Sequence, residues 1–319
     1  MTARHPSNPR KLALSLLRLG FLAVIFYLIF RNISLEEAKL LLTPALGIAF
    51  AIGVVLTLCQ ALTCTLRWSR LAAHVPQLPR VLDSFMIYME GLFFNQALPS
   101  FVGGDAVRVM RWKRRGVGLH DASVSVVRDR LFGAIGASLL ALVAAILLLN
   151  YRIPKLTLAG VMLLSLSALL AGIGLLAIIQ SRRISRLLAR FPRVHAQLAR
   201  ISDRKLSRDA ILVSTVYSIA GQLICGGIVL VLARSMGIEL PAWLLVSIAG
   251  IVLLVTMIPI SFAGWGIREA SFITLLAPLG VSGEKALLLG VMFGLVSLAA
   301  SFFGGYFIVH RAFFTKSPD

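Results

Sequence analysis

Charge is scarce in this sequence, and acidic charge most of all: only 14% of the 319 residues are Asp, Glu, Lys or Arg, and 13 acids stand against 32 bases. With 58% hydrophobic residues and a mean hydropathy of +0.90, the chain has too little polar surface to cover itself in water, which excludes a soluble globule. Cysteine is nearly absent. Cys59, Cys64 and Cys225 all fall in apolar runs, where they supply neither an exposed disulfide framework nor CxxC metal spacing and read as packing residues. His5, His74, His120, His195 and His310 stand singly in basic or loop settings, with no paired spacing for a metal. Gly116-Val117-Gly118 is too short for a nucleotide loop and follows no strand. No cofactor is expected, and no nucleotide-binding domain is present through which ATP could act directly. The first apolar window lacks a small-residue cleavage pattern, so no removable signal is expected.

What the chain has in abundance is apolar length. Seven windows can span a hydrocarbon core that needs about 20 residues: Leu12–Phe30, Pro44–Leu66, Leu131–Leu149, Leu156–Gln180, Ala210–Ala233, Ala242–Phe262 and Ala286–Val309. Two shorter pieces, Val81–Leu98 and Ala270–Leu279, adjoin chain breaks and read as half-helices. The fold class is therefore all-α, a polytopic membrane bundle with two broken or re-entrant elements, forming one transmembrane domain over residues 1–319.

The net charge of +19 suggests nucleic acid until it is mapped. Alternate loops carry +18 together and the intervening ones +2, a strong positive-inside bias. It predicts a multi-pass protein of the cell (inner) membrane with both termini cytoplasmic. The basic side then faces anionic lipid, and nucleic acid is not an expected partner. Residues 181–208 place apolar side chains at three- and four-residue spacing against arginines, which predicts an amphipathic interfacial connector, or simply a basic tether.

Polar chemistry concentrates in Glu90–Arg130, around breaks at Pro99 and Gly103-Gly104. A helix broken at membrane depth is tolerated only where protein or a water-filled cavity satisfies its backbone. Asn95 and Gln96 can bind a polar head or cap the broken backbone, Gly103 and Gly104 permit close approach, and Asp105 can start the next helix. Arg108 and Arg111, three apart, face one way and suit phosphate. Glu90, an intramembrane carboxylate, calls for a partner such as Arg108, Arg128 or Arg130, and Asp129-Arg130 reads as a pair opening the following helix. A second break at Pro259 and Gly264-Trp265-Gly266 carries the pair Arg268-Glu269, and Trp265 reads as a belt residue or a wall of a path. At an offset of 160 the breaks align: Pro99 with Pro259, Gly104 with Gly264, Arg108 with Arg268. That predicts inverted repeats over about 1–155 and 156–319, the plan by which transporters build a midplane site.

The ordered set Asn95-x-x-Leu98-Pro99, Gly103-Gly104-Asp105-x-x-Arg108, Asp129-Arg130, Pro259-x-Ser261 and Gly264-x-Gly266-x-Arg268-Glu269 resembles the flippase-like transmembrane domain of lysylphosphatidylglycerol synthases and their stand-alone relatives. Ala263 departs from the glycine expected before the second break. The resemblance implies the lipid-translocating part without the soluble synthase domain, with the residues just named, Ser261 among them, around the lipid path. The expected function is a lipid flippase moving an anionic or phosphate-linked lipid, an aminoacyl phospholipid or a polyprenyl-phosphate-linked sugar. A membrane lipid with an anionic headgroup is the expected partner, and a lipid-synthesising enzyme a candidate one. Alternatives are a membrane-embedded transferase acting on a lipid phosphate and a non-transporting scaffold. Asp105, Asp121 and Asp129 are the acids a transferase would use, but no tight DxD or HxxxD pair supports it, and enzyme activity is not expected.

The charge map is open to direct test. Single cysteines placed at Ser34 and Glu239 are expected to react with an impermeant thiol reagent added outside, and one at Ser185 is not; external labelling at Ser185 would reverse the assignment.

Overall fold

A computed structural model describes residues 43–73, 75, 78–97, 103–180, 206–258 and 264–314. Every regular element among them is helical. In chain order these are α1 (Pro44–Leu71), α2 (Val81–Ala97), α3 (Gly103–Lys113), α4 (Leu119–Leu147), α5 (Lys155–Gln180), α6 (Arg208–Ser235), α7 (Ala242–Thr256), α8 (Ile267–Leu276), a 3-10 turn over Ala277–Leu279, and α9 (Gly283–Phe314). The window Leu12–Phe30, nearly all of the connector 181–208, and Pro99, Pro259, Ser261 and Ala263 lie outside the described residues.

Helices α1, α4, α5, α6 and α9 are each long and apolar enough to cross a membrane. The chain is a multi-pass membrane protein. Leu156, Leu163 and Leu170 on α5 are 85%, 71% and 62% exposed, an apolar face of the kind a bilayer covers. Ala242–Phe262, expected as one span, is instead a helix of 15 residues ending at Thr256. At 1.5 Å per residue it covers about 23 Å, short of a hydrocarbon core of about 30 Å. The sequence reason is Pro259, which disfavours helical backbone at the residue before it.

Local chemistry sets the helix ends. The Thr43 hydroxyl accepts the Leu46 N–H ahead of Pro44 at the start of α1, and Ser207 does the same for Ala210 at the start of α6. Gly116, Gly237 and Gly280, all at positive φ, follow α3, α6 and the 3-10 turn, where the chain must turn away.

Two antiparallel hairpins fill the space between the long helices. In the first, Asn95 meets Gly104, Gly91 lies against Arg108, Glu90 pairs with Arg111 and Asp83 with Arg115, so α2 and α3 run side by side with the break at the tip. In the second, α7 and α8 pack together, Thr256 lies beside Gly264, and residues 237–240 face residues 279–282 at the open end. Helices α1 and α6 form the most extensive pair and run antiparallel, with Gly53 near Ile228, Gln60 near Gly221 and Arg67 bonded to Ser218.

This packing sorts the described helix ends into two sets. At one end lie the close of α1, the open end of the first hairpin, and the starts of α4 and α6. The Trp68–Trp112 stack, the cluster of Ala72, Ile87, Val117 and Ala122, and Leu206 beside Leu71 hold that end together. At the other end lie the close of α4, the close of α6 and the open end of the second hairpin, joined by Leu148, Ile153, Met236 and Ile238. The basic loops of the charge map attach to the first set and the near-neutral loops to the second.

Helix α9 crosses α2 so closely that a Cβ at Gly304 would collide with the Met89 carbonyl. Gly304→Val is expected to cost about 1–3 kcal/mol by overpacking and to lower the yield of folded protein. Gly160→Ala, where nothing lies within 4 Å of an added Cβ, is the control expected to leave thermal stability in detergent unchanged.

Candidate functional site

The first hairpin brings most of the sequence-derived residues to one place. Why the tip is glycine is a matter of distance: a Cβ on Gly104 would strike the Gly91 carbonyl and the Asn95 side chain. With glycine there, the Asn95 side-chain oxygen accepts the Gly104 N–H at 3.0 Å and caps the broken chain. The Arg108 stem then runs over Gly91, and its guanidinium stacks on Trp68 at 4.1 Å and Tyr88 at 4.7 Å.

Asp129 is the hub of the polar network. Its two carboxylate oxygens accept from Arg67 Nε at 2.8 Å and Arg108 Nη2 at 2.7 Å, tying α1, α3 and α4 together through one buried anion. Arg67 also donates to Ser218 on α6 at 3.2 Å. Asp105 continues the network, with Arg130 at 2.8 Å and Arg108 at 3.5 Å. Asp129 and Arg130 therefore do not open a helix, as the sequence suggested: α4 begins at Leu119 and carries both residues in its third turn, where α3 can meet them.

Around this network lies a cavity of about 160 Å³, lined by Arg67, Arg108, Arg130, Asp105, Asp129 and Asn95, and further in by Gln60 and Gln222. Gln60 and Gln222 sit near the middle of α1 and α6, and Met257, just past α7, closes the inner wall. The space thus runs from Arg67, about one turn from the end of α1, to mid-bundle. The side chain of Arg130, 42% exposed, is its most accessible cation.

Other expected residues fall elsewhere. Gly103 starts α3 and Gln96, half-buried near the end of α2, is not among the lining residues. Arg111, expected beside Arg108 on a phosphate, instead pairs with the fully buried Glu90 at 2.7 Å. Antiparallel register puts Arg111 at the level of Glu90, while Arg108 and Arg130 turn to Asp129 and Asp105. In the second hairpin, Arg268 donates twice to the neighbouring Glu269, at 2.9 and 2.6 Å, and stacks on Trp265 at 4.3 Å. The Glu269 carboxylate also accepts the Gly266 N–H, and a Cβ at Gly294 would occupy the place of the Arg268 guanidinium. This second cluster, held between α8 and α9, is not part of the cavity wall.

Arg67, Tyr88, Gln60 and Gln222 are site residues that sequence reasoning missed. The apolar window Pro44–Leu66 stops one residue short of Arg67, yet α1 continues to Leu71 and buries it. The two glutamines carried a readable signal, amides inside otherwise apolar spans.

Over residues 13–305 the chain matches a family described as the lysylphosphatidylglycerol synthase TM region. No curated protein and no solved structure matches the chain.

Removing the hub leaves two buried arginines without their shared anion, so Asp129→Ala is expected to cost about 3–5 kcal/mol and to deplete folded protein. Asp105→Ala, at the partly exposed pair, is expected to cost about 1 kcal/mol or less. Thermal unfolding in detergent separates the two, and equal losses would remove Asp129 from its central place.

Proposed function

The chain belongs to the lysylphosphatidylglycerol synthase transmembrane-region family, and from that premise we infer that it is a flippase for a lipid with an anionic, phosphate-bearing head. The observation that carries the reading is the arginine-lined cavity reaching from the basic end to mid-bundle at the tip of a broken helical element. A guanidinium offers phosphate a planar fork of donors, and a broken helix offers it backbone that needs partners.

The hairpins are re-entrant in this reading. Helices α3 and α8 have 11 and 10 residues, about 17 and 15 Å, too short to cross, and the arms of each hairpin return to the end they left. The inverted repeat is supported by helix lengths in matching order: 28, 17, 11 and 29 residues for α1–α4 against 28, 15, 10 and 32 for α6–α9. Packing supports it too, since α2 lies on α9 as α7 lies on α4, and the hairpins open toward opposite ends. With the basic end in the cytoplasm, the head enters past Arg130, meets Arg108 and the amides, and leaves as one half rocks against the other while the tails stay in lipid. An enzyme that makes the lipid is the partner this role calls for.

Transfer chemistry is the second reading, and the carboxylates speak against it. Asp129 spends both oxygens on arginines, and Asp105 gives Oδ2 to Arg130 while its Oδ1 lies 3.5 Å from Arg108, so each acid of the cavity is held by guanidinium groups and the two do not form a free carboxylate pair for a cation. Purified chain given a charged tRNA or an activated sugar donor is expected to form no modified lipid; a product abolished by Asp105→Asn would put an enzyme in place of the flippase.

Transport itself is tested in reconstituted vesicles, with rates normalised to folded protein. Arg108→Ala and Arg130→Ala each remove a charge-assisted contact worth about 1.5–3 kcal/mol, so translocation is expected to slow about tenfold or more. Lys at either position restores only part, because it loses the fork. Arg268→Ala is expected to lower abundance and leave transport per folded molecule near normal, since it strands Glu269 in the bundle. Normal transport by both Arg108→Ala and Arg130→Ala at normal abundance would remove the site.

A further inference from the structure

The ion pairs around Asp129 leave one buried donor and one buried acceptor unused. Among the described residues Arg108 Nε and Asp105 Oδ1 have no hydrogen-bond partner, and neither atom has the accessible surface through which water could serve it. Both side chains sit on α3, three residues apart, and so face the same way. They approach to 3.5 Å, between Arg108 Nη1 and that same Asp105 oxygen, while Arg108 Nη2 is held at 2.7 Å by Asp129 on α4. A buried polar atom without a partner costs free energy, and two of them on neighbouring side chains call for a physical reason. A turn of the guanidinium away from Asp129 supplies one, because a shift of under about 1 Å brings donor and acceptor to bonding distance.

The network also divides cleanly where the first hairpin meets the long helices. Asp105 and Arg108 belong to the hairpin, and Arg67, Asp129 and Arg130 belong to α1 and α4. Two bonds cross from the hairpin to α4, Arg108 to Asp129 at 2.7 Å and Arg130 to Asp105 at 2.8 Å. When both open, Arg108 keeps Asp105, and Asp129 keeps Arg67, which is bonded to it at 2.8 Å. Only Arg130 is left over, and its side chain, 42% exposed, has solvent to receive it. No buried charge is stranded, which is the cost that otherwise forbids parting such pairs. The remaining pairs of the hairpin, Glu90 with Arg111 and Asp83 with Arg115, join α2 to α3 and travel with it.

We propose that the contact of the first hairpin with α4 is a latch with two positions, in which Arg108 exchanges Asp129 for Asp105 as the hairpin draws away and widens the cavity. The described structure is the latched position. The Trp68–Trp112 stack pins α3 to α1 at the basic end, so the motion is a swing of the hairpin tip about that stack. The latch goes beyond the flippase reading and does not depend on what the cavity carries.

Cys64 reports the opening. It lines the cavity and is 7% exposed, whereas Cys225, 4% exposed, is not among the lining residues. The full chain in nanodiscs is treated with N-ethylmaleimide, a neutral thiol reagent, and modification of each cysteine is read by peptide mass spectrometry. The rate at Cys64 follows the fraction of molecules unlatched. Arg130→Gln removes a bond of the latched position alone and is expected to speed labelling of Cys64 about two- to fivefold. Asp105→Asn removes the same bond and also the anion to which Arg108 must move, so it is expected to slow labelling at least about tenfold. Asp105→Ala takes away the same charge and gives a second reading of it. The direct electrostatic effect on a thiolate runs the opposite way in each variant, since losing a base disfavours the thiolate and losing an acid favours it.

Opposite responses from the two partners of one ion pair, with Cys225 unchanged, are the expected result. A pair that merely ties α3 to α4 gives faster labelling whichever partner is removed, and that outcome overturns the latch. Labelling of Cys225 in step with Cys64, which is loosening of the whole bundle, overturns it as well, and so does one Cys64 rate shared by the wild-type chain and all three variants.

Discussion

The structure depends on one buried carboxylate held between two guanidinium groups from different helices. Asp129 joins Arg67 of α1 to Arg108 of α3 from its own place in α4, and its removal strands both cations in a membrane interior. Burial of such a group is tolerable only with full pairing, and the pairing here fixes where the first hairpin can sit. With the hairpin so placed, its tip is glycine because Gly91 and Asn95 press against it, and a cavity remains beneath. Position and chemistry of the candidate site are thus two results of one ion-pair arrangement.

The second hairpin solves the same steric problem differently. Arg268 takes its counter-ion from the next residue, Glu269, whose other oxygen caps the helix at Gly266. Because its counter-ion is the next residue, Arg268 does not depend on α4 or α6 for its pairing as Arg108 depends on α4. Trp265 and the gap at Gly294 complete the seat of the guanidinium. The two hairpins therefore differ in how their arginines are paired: Arg108 reaches a carboxylate on another helix, and Arg268 one on its own.

Much of this was legible in the sequence, and the parts that were not share a cause. Apolar length and charge asymmetry disclosed the bundle and its two ends. The Gly-Gly and Gly-Trp-Gly breaks disclosed the hairpins. What depends on register stayed hidden: that Glu90 meets Arg111 comes from the antiparallel pairing of α2 with α3, which no periodicity within either helix contains. Arg67 and Asp129-Arg130 were misplaced because apolar windows mark where charge begins, whereas helices α1 and α4 run on through charged turns that the bundle buries. The amides Gln60 and Gln222 were not singled out, though inside apolar spans an amide needs a polar neighbour.

The central claim is that a lipid phosphate occupies the cavity beside Arg108. An experimental structure of the protein in a lipid nanodisc containing phosphoglycerol lipid tests it most directly. The account predicts phosphate density within hydrogen-bonding distance of Arg108 and Arg130, with the tails leaving toward the bilayer. Bound lipid confined to the outer faces of α5 and α9, with the arginine-lined cavity holding only water, would contradict it.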